Sequence, residues 1–132
     1  MAQQDVETAR AAFEAWNSGD YEAWIEAFGE EAEFFPMRAQ LEGRSYQGHD
    51  GLRRFIDEMF EEWEQVRFEV DEIREGGRYL AAFGRVRARG RASGVDVDVP
   101  LALVGAVRNS KIAYVRFYAD RAGALEAAGL SK

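Results

Sequence analysis

W-N-S-G-D-Y-E-A-W-I-E-A-F-G-E-E-A-E-F-F-P, residues 16–36, is the stretch whose reading decides the fold. Asn17-Ser18-Gly19 stops one helix. Asp20 is placed to cap a second, accepting backbone N–H bonds in its first turn. That helix, 21–28, presents Tyr21, Trp24, Ile25 and Phe28 and is closed by Gly29. Ala32 to Phe35 then reads as a short strand whose pairing Pro36 limits. A segment this rich in aromatic residues needs a core to bury them.

Working outward, Val6, Ala9, Phe13 and Trp16 recur at spacings of three and four, which predicts an amphipathic helix over 4–17. On the other side, 37–48 reads as a polar loop with Gly43 and Gly48. Asp50 is a candidate N-cap for a helix over 51–63, whose apolar stripe is Leu52, Phe55, Ile56, Met59, Phe60 and Trp63. Its charges run against the helix dipole, Arg first and Glu last, an imbalance that Arg53–Asp57 and Arg54–Glu58 pairs offset only slightly.

After Glu64 the period becomes two. Val66, Phe68 and Val70 alternate with Arg67, Glu69 and Asp71, as in a half-buried strand. Gly76-Gly77 turns the chain into a long strand, 79–91, with Arg85, Arg87, Arg89 and Arg91 on one face. Ser93-Gly94 is a hairpin signal. The next strand is 95–108, with Pro100 at a bulge or edge, and after Asn109-Ser110 the last runs over 111–119. Asp120 caps a closing helix, 121–128, with Gly129 at C′. Helices followed by an antiparallel meander predict an α+β fold. The sheet would be curved, of four to six strands, with three N-terminal helices on its concave face and a short C-terminal helix.

The totals agree. The chain has 132 residues, 47% hydrophobic and 13% aromatic, which suits one domain spanning 1–132 with a real core. It has no cysteine, which excludes a disulfide framework, a thiolate nucleophile and a cysteine zinc site. The net charge of −7 fits a nucleic-acid backbone poorly. No apolar run approaches the ~20 residues of a bilayer span. The N-terminus lacks the pattern of a signal peptide, so a cytoplasmic protein is expected.

Four motifs carry a resemblance: F-E-A-W-N-S-G-D-Y-E-A-W at 13–24, Y-Q-G-H-D-G-L-R-R-F at 46–55, R-G-R-A-S-G-V at 89–95, and K-I-A-Y-V-R-F-Y-A-D-R-A-G-A-L-E-A-A-G-L at 111–130. In order and spacing they resemble the SnoaL-like branch of the nuclear transport factor 2-like superfamily, the cone shared with ketosteroid isomerase. The resemblance implies a pocket between helices and sheet, and a homodimer through the outer sheet face. It implies no single function, because a fold hosts many.

Ketosteroid isomerase chemistry needs a carboxylate base, plus a tyrosine and a protonated acid for the oxyanion. The resemblance puts these at Phe35-Pro36, near Ala12 and near Ala102, where none stands. Other candidates are weaker. Asp98 shares strand parity with Ala102 and is a candidate acid or base; the bland reading turns Asp96 and Asp98 outward opposite Val95, Val97 and Val99. Asp120 matches a region where some cyclases of the family place an aspartate, and its bland reading is the N-cap. His49, the single histidine, reads as a solvated loop residue, so no metal or cofactor is implied. Tyr114, Arg116 and Tyr118 share a face opposite Val115 and Phe117 and suit a dimer interface.

Trp16, Trp24, Phe28, Phe34, Phe60, Trp63 and Phe117 are the candidate pocket residues. Singly each reads as core; together they suit a cavity for a small hydrophobic molecule. Two functions are therefore expected. One is a pocket with cofactor-free acid–base chemistry of the cyclase, isomerase or hydrolase type. The other is a non-catalytic dimeric ligand-binding or interaction module.

Overall fold

The computed structural model describes residues 2–130. Met1, Ser131 and Lys132 lie outside the described residues, and with Met1 goes the start of the segment read above for a signal peptide. The chain runs α1 (Ala2–Asn17), α2 (Tyr21–Glu26), β1 (Phe28–Phe35), α3 (Met37–Leu41), β2 (Tyr46–Gln47), α4 (Gly48–Glu62), β3 (Trp63–Gly76), β4 (Tyr79–Gly90), β5 (Asp96–Arg108), β6 (Lys111–Phe117) and α5 (Arg121–Ala127). The fold is α+β, with one curved, unclosed sheet of six strands in the order β2-β1-β6-β5-β4-β3. The last four strands are the expected antiparallel meander; β1 joins β6 in parallel, and β2 pairs with β1.

Residues 16–36 do organise the chain. Gly19 takes a left-handed φ of 81° and ends α1, and the Asp20 carboxylate accepts the Ala23 N–H at 3.1 Å. Just before that stop, Trp16 Nε1 donates to the Val66 carbonyl at 3.0 Å. The Asn17 amide donates to the Phe68 carbonyl at 2.8 Å and accepts the Phe68 N–H at 2.9 Å. The end of α1 is thus bonded to β3 as a further strand would be. The Trp16 indole, 1% exposed, has the rings of Tyr21, Trp24, Phe55, Phe60 and Phe68 within 6.0 Å.

Local departures have physical causes. Gly29 does not close α2; the helix ends at Glu26 and Gly29 lies in β1, and just before β1 the Ala27 carbonyl accepts the Ile112 N–H from β6 at 2.9 Å. Sheet pairing outcompetes the glycine stop. The expected loop 37–48 holds α3 and β2. Gln40 fixes α3 by donating to the carbonyls of Phe35 and Phe117. The helix expected over 51–63 is α4 and starts at Gly48, with Gln47 rather than Asp50 at the N-cap position. His49 is no solvated loop residue: its Nε2 lies 2.8 Å from the Phe28 carbonyl and ties α4 to β1. The helix pairs read from spacing do not form either. Arg53 meets Glu22 at 3.0 Å, and Arg54 lies over the Tyr46 ring.

Two layers share the sheet. The inner face carries the main core, with Trp16, Phe34, Leu52, Phe55 and Phe68. On the outer face α5 covers Ala81, Phe83, Ala102 and Val104 through Ala124, Leu125 and Ala128. Asp120 caps α5, accepting the Gly123 N–H at 2.8 Å. Of the four arginines, three form the outer row. Arg85, Arg87 and Arg89 pair with Asp98, Glu69 and Asp96 across neighbouring strands. Arg91 lies past the strand end; it donates to the carbonyls of Phe60 and Trp63 at the C-terminus of α4. There its charge suits the helix dipole.

Candidate functional site

A cleft of about 700 Å³ opens between the inner sheet face and the helices α3 and α4. Its floor is the apolar side of the meander: Val66, Phe68, Val86, Ala88, Val97 and Val99. Strand parity explains this, because Val86 pairs with Val99 and Ala88 with Val97, while Arg85, Arg87 and Asp98 take the opposite face. A second, smaller space, a void of about 60 Å³, is lined by Trp24, Phe28, Phe34, Ile112 and Val115 among others. Phe68 and Phe117 line both spaces, their ring centroids 6.3 Å apart, and form the partition. The cleft has the size of a small-molecule site; the void does not.

The helix wall of the cleft is polar. Arg38 pairs with Glu62 and with Glu42, and Arg44 pairs with Glu42 at 2.6 Å. These side chains are 45–69% exposed, so water screens them, and they form a rim. Farther in, the Tyr46 hydroxyl donates a short hydrogen bond to Glu58. Tyr46 is 4% exposed, held in β2 opposite Phe34 with its ring 5.5 Å from that of Phe55. Gly51 makes this seat possible: a Cβ there would lie 3.1 Å from the Tyr46 carbonyl carbon. Burial, and after it the hydrogen bond to Glu58, push the Tyr46 hydroxyl above the ordinary phenol value, with Arg44 opposing. It therefore stays a proton donor at neutral pH. A carboxylate and a neutral phenol sit together facing an apolar floor.

The sequence model of the SnoaL-like domain matches residues 9–115. The chain belongs to the SnoaL-like family. Solved structures share this SnoaL-like fold. An NTF2-like protein of unknown function from Burkholderia pseudomallei is 19% identical, with 93% of this chain and 95% of that one covered and a TM-score of 0.79. TerC, co-crystallised with polyporic acid, is 16% identical over 93% and 96% of the two chains, also at 0.79. A protein described as a SnoaL-like polyketide cyclase from Jannaschia sp. is 18% identical over 98% and 94%, at 0.75. At these identities the likeness is one of fold alone. No curated protein matches in sequence.

The residues singled out in this SnoaL-like chain scatter. Trp63 lines the cleft, and Phe117 lines cleft and void. Trp24, Phe28 and Phe34 line only the void. Trp16 and Phe60 line neither; they stack at 6.0 Å and 19° and fill the core. Asp98 shares parity with Ala102, as read, but that face is the outer one. Its side chain is 47% exposed, and the hydrogen bond from Arg85 holds its carboxyl below the usual range. It has no access to the cleft. Asp120 serves as the α5 cap and lines neither space.

The isomerase comparison also shifts. The inward residues beside Ala102 are Leu101 and Leu103, and neither is an acid. Tyr46 and Glu58 escaped the sequence reading because Tyr46 sits in an apparent loop and Glu58 on the charged side of α4. The available signal was Tyr46 itself, a large aromatic in an otherwise polar run. Among the described residues no group of His, Cys, Asp and Glu is placed to hold a metal ion, and no helix is long and apolar enough to cross a membrane.

Proposed function

We propose that the cleft binds a small, largely apolar molecule and converts it by acid–base chemistry that needs no cofactor. The observation that carries this reading is the cleft of about 700 Å³ with an apolar floor and titratable groups confined to the helix wall. Such a site takes a flat hydrophobic body on one side and orients a polar group on the other. The family and the TerC–polyporic acid complex support the class of ligand without fixing it. Non-catalytic binding is the second reading, favoured by the absence of side chains of the isomerase type at Ala12, Pro36 and Ala102.

The test is a thermal-shift screen against hydrophobic metabolites. A ligand that binds only the folded chain at about 100 times its Kd adds roughly 2.7 kcal/mol. We expect at least one clear stabilisation, lost in Trp63→Ala while the unliganded protein stays folded. Trp63 starts β3 and is only half-buried, so its truncation opens the cleft wall without hollowing the core. A screen of several hundred compounds with no shift would count against the pocket.

We also propose a homodimer through the outer sheet face. Beside α5 this face presents Phe35, Tyr79, Tyr114 and Arg116, with the Arg116 guanidinium 5.0 Å from the Phe35 ring centroid and Tyr114 within 6.1 Å of Phe35 and Tyr79. Half-buried aromatics around an arginine are the composition of a contact surface. Sedimentation should give twice the chain mass of 14.9 kDa, and Tyr114→Glu should halve it. A wild-type protein that sediments as a monomer at 100 µM would remove this dimer.

A further inference from the structure

We infer that the void beside the cleft is a tail pocket, and that the ligand of the cleft is an apolar ring compound carrying a straight alkyl chain of about four to six carbons. This rests on the binding reading above and adds to it a second part of the site and the form of the ligand.

Small side chains make the void. Ala9 and Ala12 of α1, Ala82 of β4, and Gly105 and Ala106 of β5 all border it. The large rings beside it do not collapse into it, because they hold one another. Trp24 has the Phe28 ring at 4.9 Å and the Phe34 ring at 5.7 Å, both edge-on. A close-packed interior leaves few spaces larger than a water molecule, so one of about 60 Å³ stands out. It has room for about two groups of water size, at about 30 Å³ each. Water itself is a poor occupant. It needs roughly two to four polar partners, and every side chain lining the void among the described residues is apolar. A hydrocarbon chain needs no such partner and gains dispersion contacts with the lining.

The place of the void says whose chain this is. Phe68 and Phe117 border it and border the cleft as well. The two rings are not equally fixed. Phe68 is buried, and besides Phe117 it has the rings of Trp16 at 5.4 Å and Phe13 at 6.3 Å. Phe117 ends β6, is half-buried, and has one other ring partner among the described residues, Phe34 at 5.7 Å. It also borders the cleft of about 700 Å³, so its ring can turn that way without displacing protein atoms. The turn parts it from Phe68 and joins the two spaces. A chain of the inferred length spends two or three carbons passing the rings and about two in the void. The ring body stays on the floor of Val86, Ala88, Val97 and Val99, with its polar group toward the helix wall.

The experiment compares 4-methylphenol with 4-pentylphenol. Calorimetric titration gives the affinities, and methyl-labelled NMR places the chain. Each buried methylene is worth about fourfold in affinity. We expect 4-pentylphenol to bind at least thirtyfold tighter than 4-methylphenol, with its terminal methyl showing contacts to the methyls of Leu80 and Ile112, which line the void and not the cleft. Ala9→Leu fills the void from α1. It should leave the affinity for 4-methylphenol within twofold and cut the advantage of 4-pentylphenol below fivefold. Ala106→Val fills the void from β5 and serves if Ala9→Leu does not fold. Phe117→Leu shrinks the partition and should raise the association rate of 4-pentylphenol relative to that of 4-methylphenol; an unchanged ratio overturns the turning ring. An advantage that survives both filled voids, or terminal-methyl contacts confined to Val86 and Val99, overturns the tail pocket and leaves the cleft standing. Failure of both phenols to bind where other apolar compounds shift the Val86 and Val99 methyls overturns the form of the ligand. If no apolar compound shifts those methyls, the binding reading falls and this inference with it.

Discussion

Trp16→Ala is expected to destabilise the protein by about 3–5 kcal/mol, the usual cost of deleting a buried indole. In a chain of this length that lowers the unfolding midpoint by roughly 10 °C or more. The indole is the hub of the aromatic core, between Tyr21 and Trp24 on one side and Phe60 and Phe68 on the other. Its removal leaves a cavity that neighbouring rings cannot fill without leaving their own partners. It also strands the Val66 carbonyl in a dry place, because Trp16 Nε1 is the donor to it from α1. Trp16→Phe separates the two effects. It keeps most of the volume and should cost about 1–3 kcal/mol, largely the unmet carbonyl and a smaller void. Denaturant unfolding of both variants reads the difference. A loss below 1 kcal/mol for Trp16→Ala would show that α1 does not anchor the cone.

Gly84→Ala is expected to be as damaging, for a different reason. Gly84 sits in β4 opposite Val70 and Leu101, where the β3 register shifts between Val70 and Glu72. A Cβ built there would stand 1.9 Å from the Glu69 carbonyl oxygen and 2.9 Å from the Val70 Cα. These are backbone atoms of the adjoining strand, so no side-chain rotation relieves the overlap. The bulge must be lost or the strands must part. We expect a loss above about 3 kcal/mol, in the range of strongly disruptive substitutions. Ligand affinity should fall with it, since a bulge bends a sheet and the floor residues Val66, Phe68, Val86 and Ala88 lie in the same two strands. Gly77→Ala is the control. Gly77 has a φ of 73° in an open turn with nothing near, so only the backbone preference is lost, about 1 kcal/mol. Equal stability of Gly84→Ala and wild type would contradict the bulge.

Periodicity in the sequence was enough for the long helices and the four-stranded meander, though not for α3, β2 or the parallel pairing of β1 with β6. Val66, Phe68 and Val70 announce a half-buried strand, and Asn109-Ser110, with φ of 52° and 65°, forms the tight turn that its position promised. Asp20 and Asp120 act as the caps that their spacing required. What periodicity could not supply was the side of the sheet. Asp98 and Ala102 share parity, yet only the position of α5 over Ala102 shows that their face is the outer one. Nor can spacing bring Tyr46 to Glu58. Their contact depends on β2 pairing at Phe34 and on the close approach at Gly51, both set by tertiary packing. The aromatic residues were legible as a group. Their division into core, void and cleft wall was not, because Trp16 and Trp63 differ in neighbours and not in residue type.

The central claim is that the hollow under α3 and α4 receives the hydrophobic molecule. Methyl-labelled NMR with 2-tetralone, a small two-ring apolar ketone, tests it most directly. The predicted result is shifts concentrated on the methyls of Val86, Ala88, Val97 and Val99, with Ala81, Ala102 and Val104 under α5 unmoved. Shifts centred on that second group, or none at saturating ligand, would contradict it.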